Sequence, residues 1–137
     1  WATAKWQAPR VSKKLARLAA IAQGAAEQSH RCFVPAVDVV TLNEITQLTA
    51  DAELVAYEES GKAGEAAALV QALSTRPDTL LCVFGPEGGL SPAEIATLTA
   101  SGFTTAGLGP RILRTETAPL YLLSAVSALT ELQGESE

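Results

Sequence analysis

The sequence predicts an α/β fold with a mainly parallel sheet and helices on both of its faces. Short apolar runs typical of strands alternate along the chain with segments whose apolar residues recur at helical spacing. The 137 residues, 47% of them hydrophobic, are enough for one domain with a buried core. No apolar run reaches the length that a membrane span requires. We therefore expect residues 1–137 to form one domain that does not enter a membrane.

Five helices are expected from capping residues and apolar periodicity. The clearest start is Ser91-Pro92-Ala93-Glu94, which combines a serine cap, a proline at the first helical position and a glutamate three residues after the cap. The expected helices cover residues 12 to about 28 with Ser12 as the cap, 41 to about 48 with a capping box at Thr41 and Glu44, 65–73, 91 to about 101, and about 117 to 132.

Four apolar runs are expected to be strands: residues 32–34, residues 54–57, a run that ends at Phe84, and residues 104–108. Ligands bind beyond the carboxyl ends of strands in open parallel sheets, so the segments after Tyr57, Phe84 and Leu108 are candidate ligand loops. Cys32 and Cys82 share no metal-ligand spacing. We expect two free thiols in a reducing cytoplasm, no metal site, and Cys82 acting as a small hydrophobic residue.

The loop after Phe84 is rich in glycine. Its sequence, Gly85-Pro86-Glu87-Gly88-Gly89, allows backbone amides to approach a ligand closely, but it matches neither a Walker loop nor Gly-x-Gly-x-x-Gly. Glu87 stands where a helix N-terminus would hold a phosphate, so a ligand with hydroxyls or positive charge fits better. The alternative is a tight strand-to-helix turn in which Glu87 only complements the helix dipole.

The loop over residues 108–118 combines two arginines, an acid and two hydroxyls before the last helix. Arg114 and Glu116 suit ligand binding, but they also suit an ion pair that caps that helix. Ile112 and Leu113 suit either a wall for a flat ring such as adenine or an anchor that holds the loop in the core. The segment therefore indicates a site without deciding what binds there.

Charge is unevenly distributed along the chain, whose net charge is −5. Residues 1–35 hold six cationic residues and one acidic residue, a net charge of +5, whereas residues 36–137 hold four cationic and fourteen acidic residues, a net charge of −10. The first quarter of the chain can therefore meet phosphates. A solvated helix face is the simpler interpretation of Lys13, Lys14 and Arg17, which we expect to face away from the core.

The two loops together resemble the RsmE family of bacterial ribosomal RNA methyltransferases. The matching motifs are FGPEGGLS at residues 84–91 and LGPRILRTETA at residues 108–118, with AAEQSHR at residues 25–31 and Val34-Pro35 upstream. The resemblance covers nearly the whole chain and implies methylation of uracil N3 in 16S ribosomal RNA of the small subunit, with S-adenosylmethionine as methyl donor. It also implies a catalytic domain of the SPOUT class with a C-terminal trefoil knot, which is a rare topology.

The resemblance implies that S-adenosylmethionine lies bent across the three loops. Arg114 is the first choice for stabilising the uracil anion and Arg31 the second, because a guanidinium keeps its charge and grips carbonyl oxygens. Glu116 joins them as a catalytic candidate, since an acid such as Glu116 or Glu87 favours a sulfonium. The expected cofactor-binding residues are Tyr57, Glu58, Phe84, Gly85, Pro86, Glu87, Gly88, Leu108, Gly109, Ile112, Leu113, Thr117 and Ala118.

Partners follow from the same resemblance. SPOUT domains are dimers in which the partner completes each cofactor site, so we expect a homodimer that acts on the small ribosomal subunit, with Arg31 or the basic helix reaching across the interface. The family also has an N-terminal RNA-binding β-barrel and an initial strand and helix that do not precede Trp1 here. Two alternatives stay open: a non-catalytic RNA-binding or dimerisation module of this fold, and another α/β nucleotide-binding enzyme.

Overall fold

A computed structural model of the chain describes residues 8–57 and 67–132. Contacts between Cα atoms divide the chain into a first unit, Trp1–Ile45, and a second unit, Thr46–Glu137. Within the described ranges, every helix is too short or too polar to cross a membrane. The same residues contain no group of three His, Cys, Asp or Glu side chains arranged to hold a metal ion.

The first unit contains a long helix, α1 (Ala8–Gln28), and a single helical turn, α2 (Leu42–Ile45). α1 ends at the predicted residue, but it begins before Ser12, so the prediction of Ser12 as its cap was wrong. Pro9 accounts for the earlier start. Proline is favoured in the first turn of a helix, where its missing N–H would have had no partner within the helix.

α1 ends in a cap built on the backbone of His30 and Arg31. His30 has a φ of 55°, and its N–H donates to the carbonyl oxygen of Glu27 at 3.2 Å. The N–H of Arg31 donates to the carbonyl oxygen of Ala26 at 2.9 Å. These two hydrogen bonds form the Schellman arrangement, which usually has glycine at the left-handed position. The backbone of Arg31 is therefore held by the helix end, while its side chain is exposed.

The strand predicted at residues 32–34 is wrong. This segment is irregular backbone, and the side chain of Phe33 is 69% exposed. The cap at His30 turns the chain at the end of α1, and Pro35 has no N–H to donate to a neighbouring strand. A short apolar run becomes a strand only where another strand lies beside it.

α2 has the predicted start but not the predicted length. The N–H of Thr41 donates to Oε2 of Glu44 at 2.6 Å, and the N–H of Glu44 donates to Oγ1 of Thr41 at 3.3 Å, which is the predicted capping box. The hydrogen bonds from the Thr41 N–H and hydroxyl lower the pKa of Glu44. The helix ends at Ile45 rather than near Leu48, because the threonines that follow are poor helix formers.

The second unit is built on a parallel three-stranded sheet, which confirms the predicted class of sheet. The strands are β1 (Ala52–Ala56), β2 (Leu80–Phe84) and β3 (Thr104–Ala106), in the order β2-β1-β3. Ala56 is paired with Phe84 on one side and with Ala106 on the other. β3 stops at Ala106, before the predicted Leu108. Its pairing with β1 ends with the hydrogen bond that the N–H of Tyr57 donates to the carbonyl oxygen of Ala106.

The described residues of the second unit form three helices: α3 (Ala67–Ser74), α4 (Pro92–Ala100) and α5 (Ala118–Thr130). α4 has the predicted capping box, in which the N–H of Ser91 donates to Oε2 of Glu94 at 2.8 Å and the Glu94 N–H returns to the Ser91 hydroxyl. Gly102 ends it with a φ of +107°. α5 begins and ends within two residues of its predicted bounds. The predicted start of α3 at residue 65 lies outside the described residues.

The core of the second unit covers both faces of β1. Leu54 points to one face and packs with buried residues of α3, α5 and β3. The alternation of side chains along a strand places Val55 on the opposite face, where it is 0% exposed. Cys82 of β2 packs against the Leu54 cluster, and burial raises the pKa of its thiol to about 12. Both cysteines are free, and Cys82 is the predicted hydrophobic thiol.

The starts of β1 and β2 are joined by a polar clamp. Oδ2 of Asp51 accepts hydrogen bonds from both the hydroxyl and the N–H of Thr79, each at 2.9 Å, and the N–H of Asp51 donates to the Thr79 hydroxyl at 3.0 Å. These hydrogen bonds, the hydroxyl first, lower the pKa of Asp51. Hydrogen bonds to the ionised carboxylate stabilise the charged form in the folded chain.

The clamp predicts a pH dependence of stability. Because the pKa of Asp51 is lower in the folded chain than its ordinary value of 3.8, its contribution is complete above that pH and is lost as the pH falls through the lowered pKa. Urea unfolding of the wild type should therefore show a steeper loss of stability below this pH than unfolding of Asp51→Asn. Equal slopes for the two proteins would contradict the clamp.

Candidate active site

The carboxyl ends of the three strands open into a cleft of about 710 Å³ in the second unit. Its walls are the residues that follow β1, the loop between β2 and α4, and the loop between β3 and α5. The lining residues are Ala56, Tyr57, Phe84, Gly85, Pro86, Glu87, Gly89, Leu90, Leu108, Gly109, Pro110, Arg111, Ile112, Leu113, Arg114, Thr115, Glu116 and Ala118. Parallel strands that end at one edge bring their loops together, as the sequence predicts.

Gly85 lies where the glycine loop folds back on itself. A Cβ at this position would lie 3.1 Å from the backbone nitrogen of Leu90 and 3.2 Å from the carbonyl carbon of Gly89. The N–H of Gly89 donates to the carbonyl oxygen of Pro86 at 2.8 Å, and Gly89 has a φ of +75°. Gly85 therefore permits a close backbone approach, and Gly89 supplies a left-handed conformation.

The loop between β3 and α5 fixes the backbone of Arg114 and leaves its side chain in solvent. The carbonyl oxygen of Arg114 accepts hydrogen bonds from the N–H groups of Thr117 at 2.9 Å and Ala118 at 3.0 Å. Its guanidinium lies 4.0 Å from Oε1 of Glu116, and the two side chains are 86% and 70% exposed. An exposed pair at that distance is weak, so it leaves the guanidinium available to a ligand.

The apolar residues of this loop have different roles. Leu108 is partly buried and packs against the core cluster of Leu54, so it anchors the start of the loop. Leu113 is half-buried, whereas Ile112 lines the cleft with 72% of its surface exposed. Ile112 is therefore a wall residue and not a core anchor.

Most residues that we expected at the cofactor site line the cleft. Gly88 and Thr117 belong to the same loops but are not among the lining residues. Glu58 lies outside the described residues. Arg114 and Glu116, two of the three catalytic candidates, line the cleft, whereas Arg31 belongs to the first unit.

A family model described as an RNA methyltransferase domain matches residues 1–127 of the chain. The chain belongs to this family. The RNA methyltransferase domain is also 52% identical over 128 residues to the ribosomal RNA small subunit methyltransferase E of Bacillus subtilis, a match that covers 90% of this chain and 50% of that protein. The chain spans about half the length of the curated relatives it matches.

Solved structures resemble this RNA methyltransferase domain closely. A ribosomal RNA small subunit methyltransferase E from Neisseria gonorrhoeae, bound to S-adenosyl methionine, has 33% identity and a TM-score of 0.69, covering 88% of this chain and 49% of its own. A Legionella pneumophila protein described as a methyltransferase, in complex with the same cofactor, has 28% identity and a TM-score of 0.75, covering 92% and 50%. These relatives confirm the predicted resemblance of the chain to the RsmE family.

Several residues that line the cleft in this methyltransferase domain were not named individually as site residues from sequence, although Gly89, Pro110 and Arg111 lie in the predicted ligand loops. They are Ala56, Gly89, Leu90, Pro110, Arg111 and Thr115. Arg111 had a usable signal, since it lies in the same arginine-rich loop as Arg114. Leu90 had none, because it reaches the cleft only where the glycine loop folds back beside Gly85.

The crowding around Gly85 predicts a difference between two glycines of one loop. Gly85→Ala should lower the free energy of unfolding by about 1–3 kcal/mol, because the backbone around Leu90 must shift. Gly88→Ala is the control, since a Cβ there would meet no atom of the described chain within 4 Å, and its effect should stay within about 1 kcal/mol. Chemical denaturation measures both, and equal losses would contradict the assignment.

Proposed function

We propose that the chain is the catalytic part of an S-adenosylmethionine-dependent methyltransferase that modifies N3 of a uracil in 16S ribosomal RNA. The observation that carries this proposal is the cleft of about 710 Å³ formed by the two family loops at the carboxyl edge of the sheet. Relatives with the same fold and with 33% and 28% identity are bound to S-adenosylmethionine. The family membership supports ribosomal RNA as the substrate.

The cleft has the size and chemistry that this cofactor needs. Pockets for small ligands usually hold roughly 300–1,000 Å³, and the cleft falls within that range. Backbone groups of the glycine loop and of Gly109 suit adenine edges and ribose hydroxyls, and Ile112 and Leu113 offer apolar surface to a ring. Glu87 and Glu116 supply negative charge, which favours a sulfonium.

Arg114 is the residue that we assign to the uracil. When bound, S-adenosylmethionine supplies a methyl group on a positively charged sulfur, and sulfur keeps the electron pair of the broken C–S bond. Uracil must lose its N3 proton, which passes to water, before N3 can bond to carbon, and the resulting negative charge spreads over the two neighbouring carbonyl oxygens. An exposed guanidinium held by its own backbone can donate to such an oxygen and lower the cost of that charge.

Further parts of the proposal rest on membership of the family. They are one SPOUT-type domain with a trefoil knot across residues 1–137, a homodimer, action in the cytoplasm, and roles for Arg31, Glu58, Gly88 and Thr117 in the complete site. The proposed homodimer agrees with the surface of α5. Leu120 and Leu123, three residues apart on one face of the helix, are 65% and 64% exposed, and a partner subunit would cover them.

Calorimetric titration of the full-length protein with S-adenosylmethionine tests the cofactor. We expect saturable binding, and we expect Ile112→Ala to bind about tenfold more weakly, a loss of about 1.4 kcal/mol, because the truncated side chain buries less apolar surface. The matched control is Leu132→Ala, because Leu132 is also apolar and exposed but lies outside the cleft. Absence of binding by the wild type would overturn the methyltransferase proposal and favour a non-catalytic module.

Transfer of labelled methyl groups to small ribosomal subunits tests the role of Arg114. Arg114→Ala should lower the rate of transfer by about 10²–10³-fold while cofactor affinity and stability stay near the wild-type values. Arg76→Ala, which removes an exposed arginine outside the cleft, should transfer at the wild-type rate. Because methylation at N3 blocks base pairing, reverse transcription of RNA treated with the wild type should stop at the methylated uracil. Full activity of Arg114→Ala would reject its assignment.

A further inference from the structure

α1 carries a stripe of four cationic side chains, which we call the basic stripe: Arg10, Lys13, Lys14 and Arg17. All four are exposed, and their spacing of three, four and seven residues from Arg10 places them on one side of the helix. α1 contains one acidic residue, Glu27, and it lies in the last turn. The first half of the helix is therefore a strongly positive surface.

This arrangement opposes the stability of the helix itself. Like charges three or four residues apart repel one another, and the stripe contains four such pairs: Arg10 with Lys13 and Lys14, and Arg17 with the same two lysines. The first turn of α1 holds a cation and no acid, although the positive end of the helix dipole is stabilised by acidic residues and destabilised by cations. A polyanion on this side of the helix would relieve both effects.

We infer that the basic stripe of α1 binds backbone phosphates of the RNA substrate. The inference rests on the proposed function and adds to it the surface that holds the RNA. The rest of the chain favours this location, because residues 36–137 carry a net charge of −10 and repel a polyanion. Within this chain, the basic stripe is therefore the surface that we expect to contact phosphates.

The geometry of the stripe suits a nucleic acid backbone. Seven residues of α-helix separate Arg10 from Arg17, a distance of about 10 Å along the axis, over which a folded RNA presents several phosphates. Long flexible side chains reach phosphates without reading bases. The stripe therefore sets the position and affinity of the RNA, and the choice of nucleotide belongs to the cleft.

The test is the salt dependence of RNA binding by the full-length protein. The variant Arg10→Gln/Lys13→Gln/Arg17→Gln removes three charges and keeps the helix, because glutamine has a helix propensity close to those of lysine and arginine. Its matched control is Arg10→Lys/Lys13→Arg/Arg17→Lys, which keeps every charge. Fluorescence anisotropy with a short labelled RNA, single-stranded and duplex, measures affinity between about 50 and 200 mM salt.

We expect the glutamine variant to bind RNA about 10- to 100-fold more weakly at low salt, with a log–log salt slope reduced by about 2–3, since each lost phosphate contact removes about 0.7–0.9. The charge-conserving variant should behave as the wild type. An unchanged slope in the glutamine variant would overturn the inference, as would loss of RNA binding in both variants, because the side chains would then act through something other than charge.

Two further measurements separate the possible failures. Cofactor titration should give the same affinity for the wild type and the glutamine variant. A wild type that binds no cofactor would contradict the proposed function. An unchanged salt slope would contradict only the role of α1. Vesicles with anionic lipid provide the other arm, because basic helices also bind membranes. Charge-dependent binding to vesicles without binding to RNA would overturn the inference.

Discussion

The common end point of the three parallel strands is the constraint on which the rest of the site depends. Ala56 is paired with Phe84 and with Ala106, so all three strands finish at one level of the sheet. The chain leaves each strand at this edge, and the three following segments must share the same space. At the other edge, the clamp between Asp51 and Thr79 joins the starts of β1 and β2. The position of the cleft therefore follows from strand register.

The loops meet this constraint in different ways. The glycine loop folds so tightly that a Cβ at Gly85 would crowd the backbone of Gly89 and Leu90, and the loop then enters α4 through the Ser91 capping box. The other loop turns at Gly109, whose φ is +88°, and reaches α5 through the two hydrogen bonds accepted by Arg114. Each loop ends at the start of a helix, which positions the far end of that cleft wall, and each begins at the end of a strand, which positions the near end.

Most features that depend on neighbouring residues in sequence were predicted correctly, with the exception of the cap at Ser12, because α1 begins before that residue. The capping boxes at Thr41 and Ser91 were correct because all their hydrogen bonds join residues three apart. The predicted strand at residues 32–34 failed because a strand depends on a distant partner, which a run of three apolar residues does not specify. The cleft shows the same division. The order of glycines and arginines along the chain indicated the two ligand loops, whereas nothing in the sequence indicated Leu90, because it reaches the cleft through the fold of the loop.

The role that we propose for Arg114 makes two demands on the loop that carries it. Its α-carbon must be held in one place, since a displaced charge stabilises a transition state poorly. Its guanidinium must stay accessible, since a firm ion pair within the chain would compete with the substrate. The backbone hydrogen bonds from Thr117 and Ala118 meet the first demand. The pairing with Glu116, at 4.0 Å and in solvent, is weak, so the guanidinium stays accessible. The same pairing keeps an acid near the cation when no substrate is present.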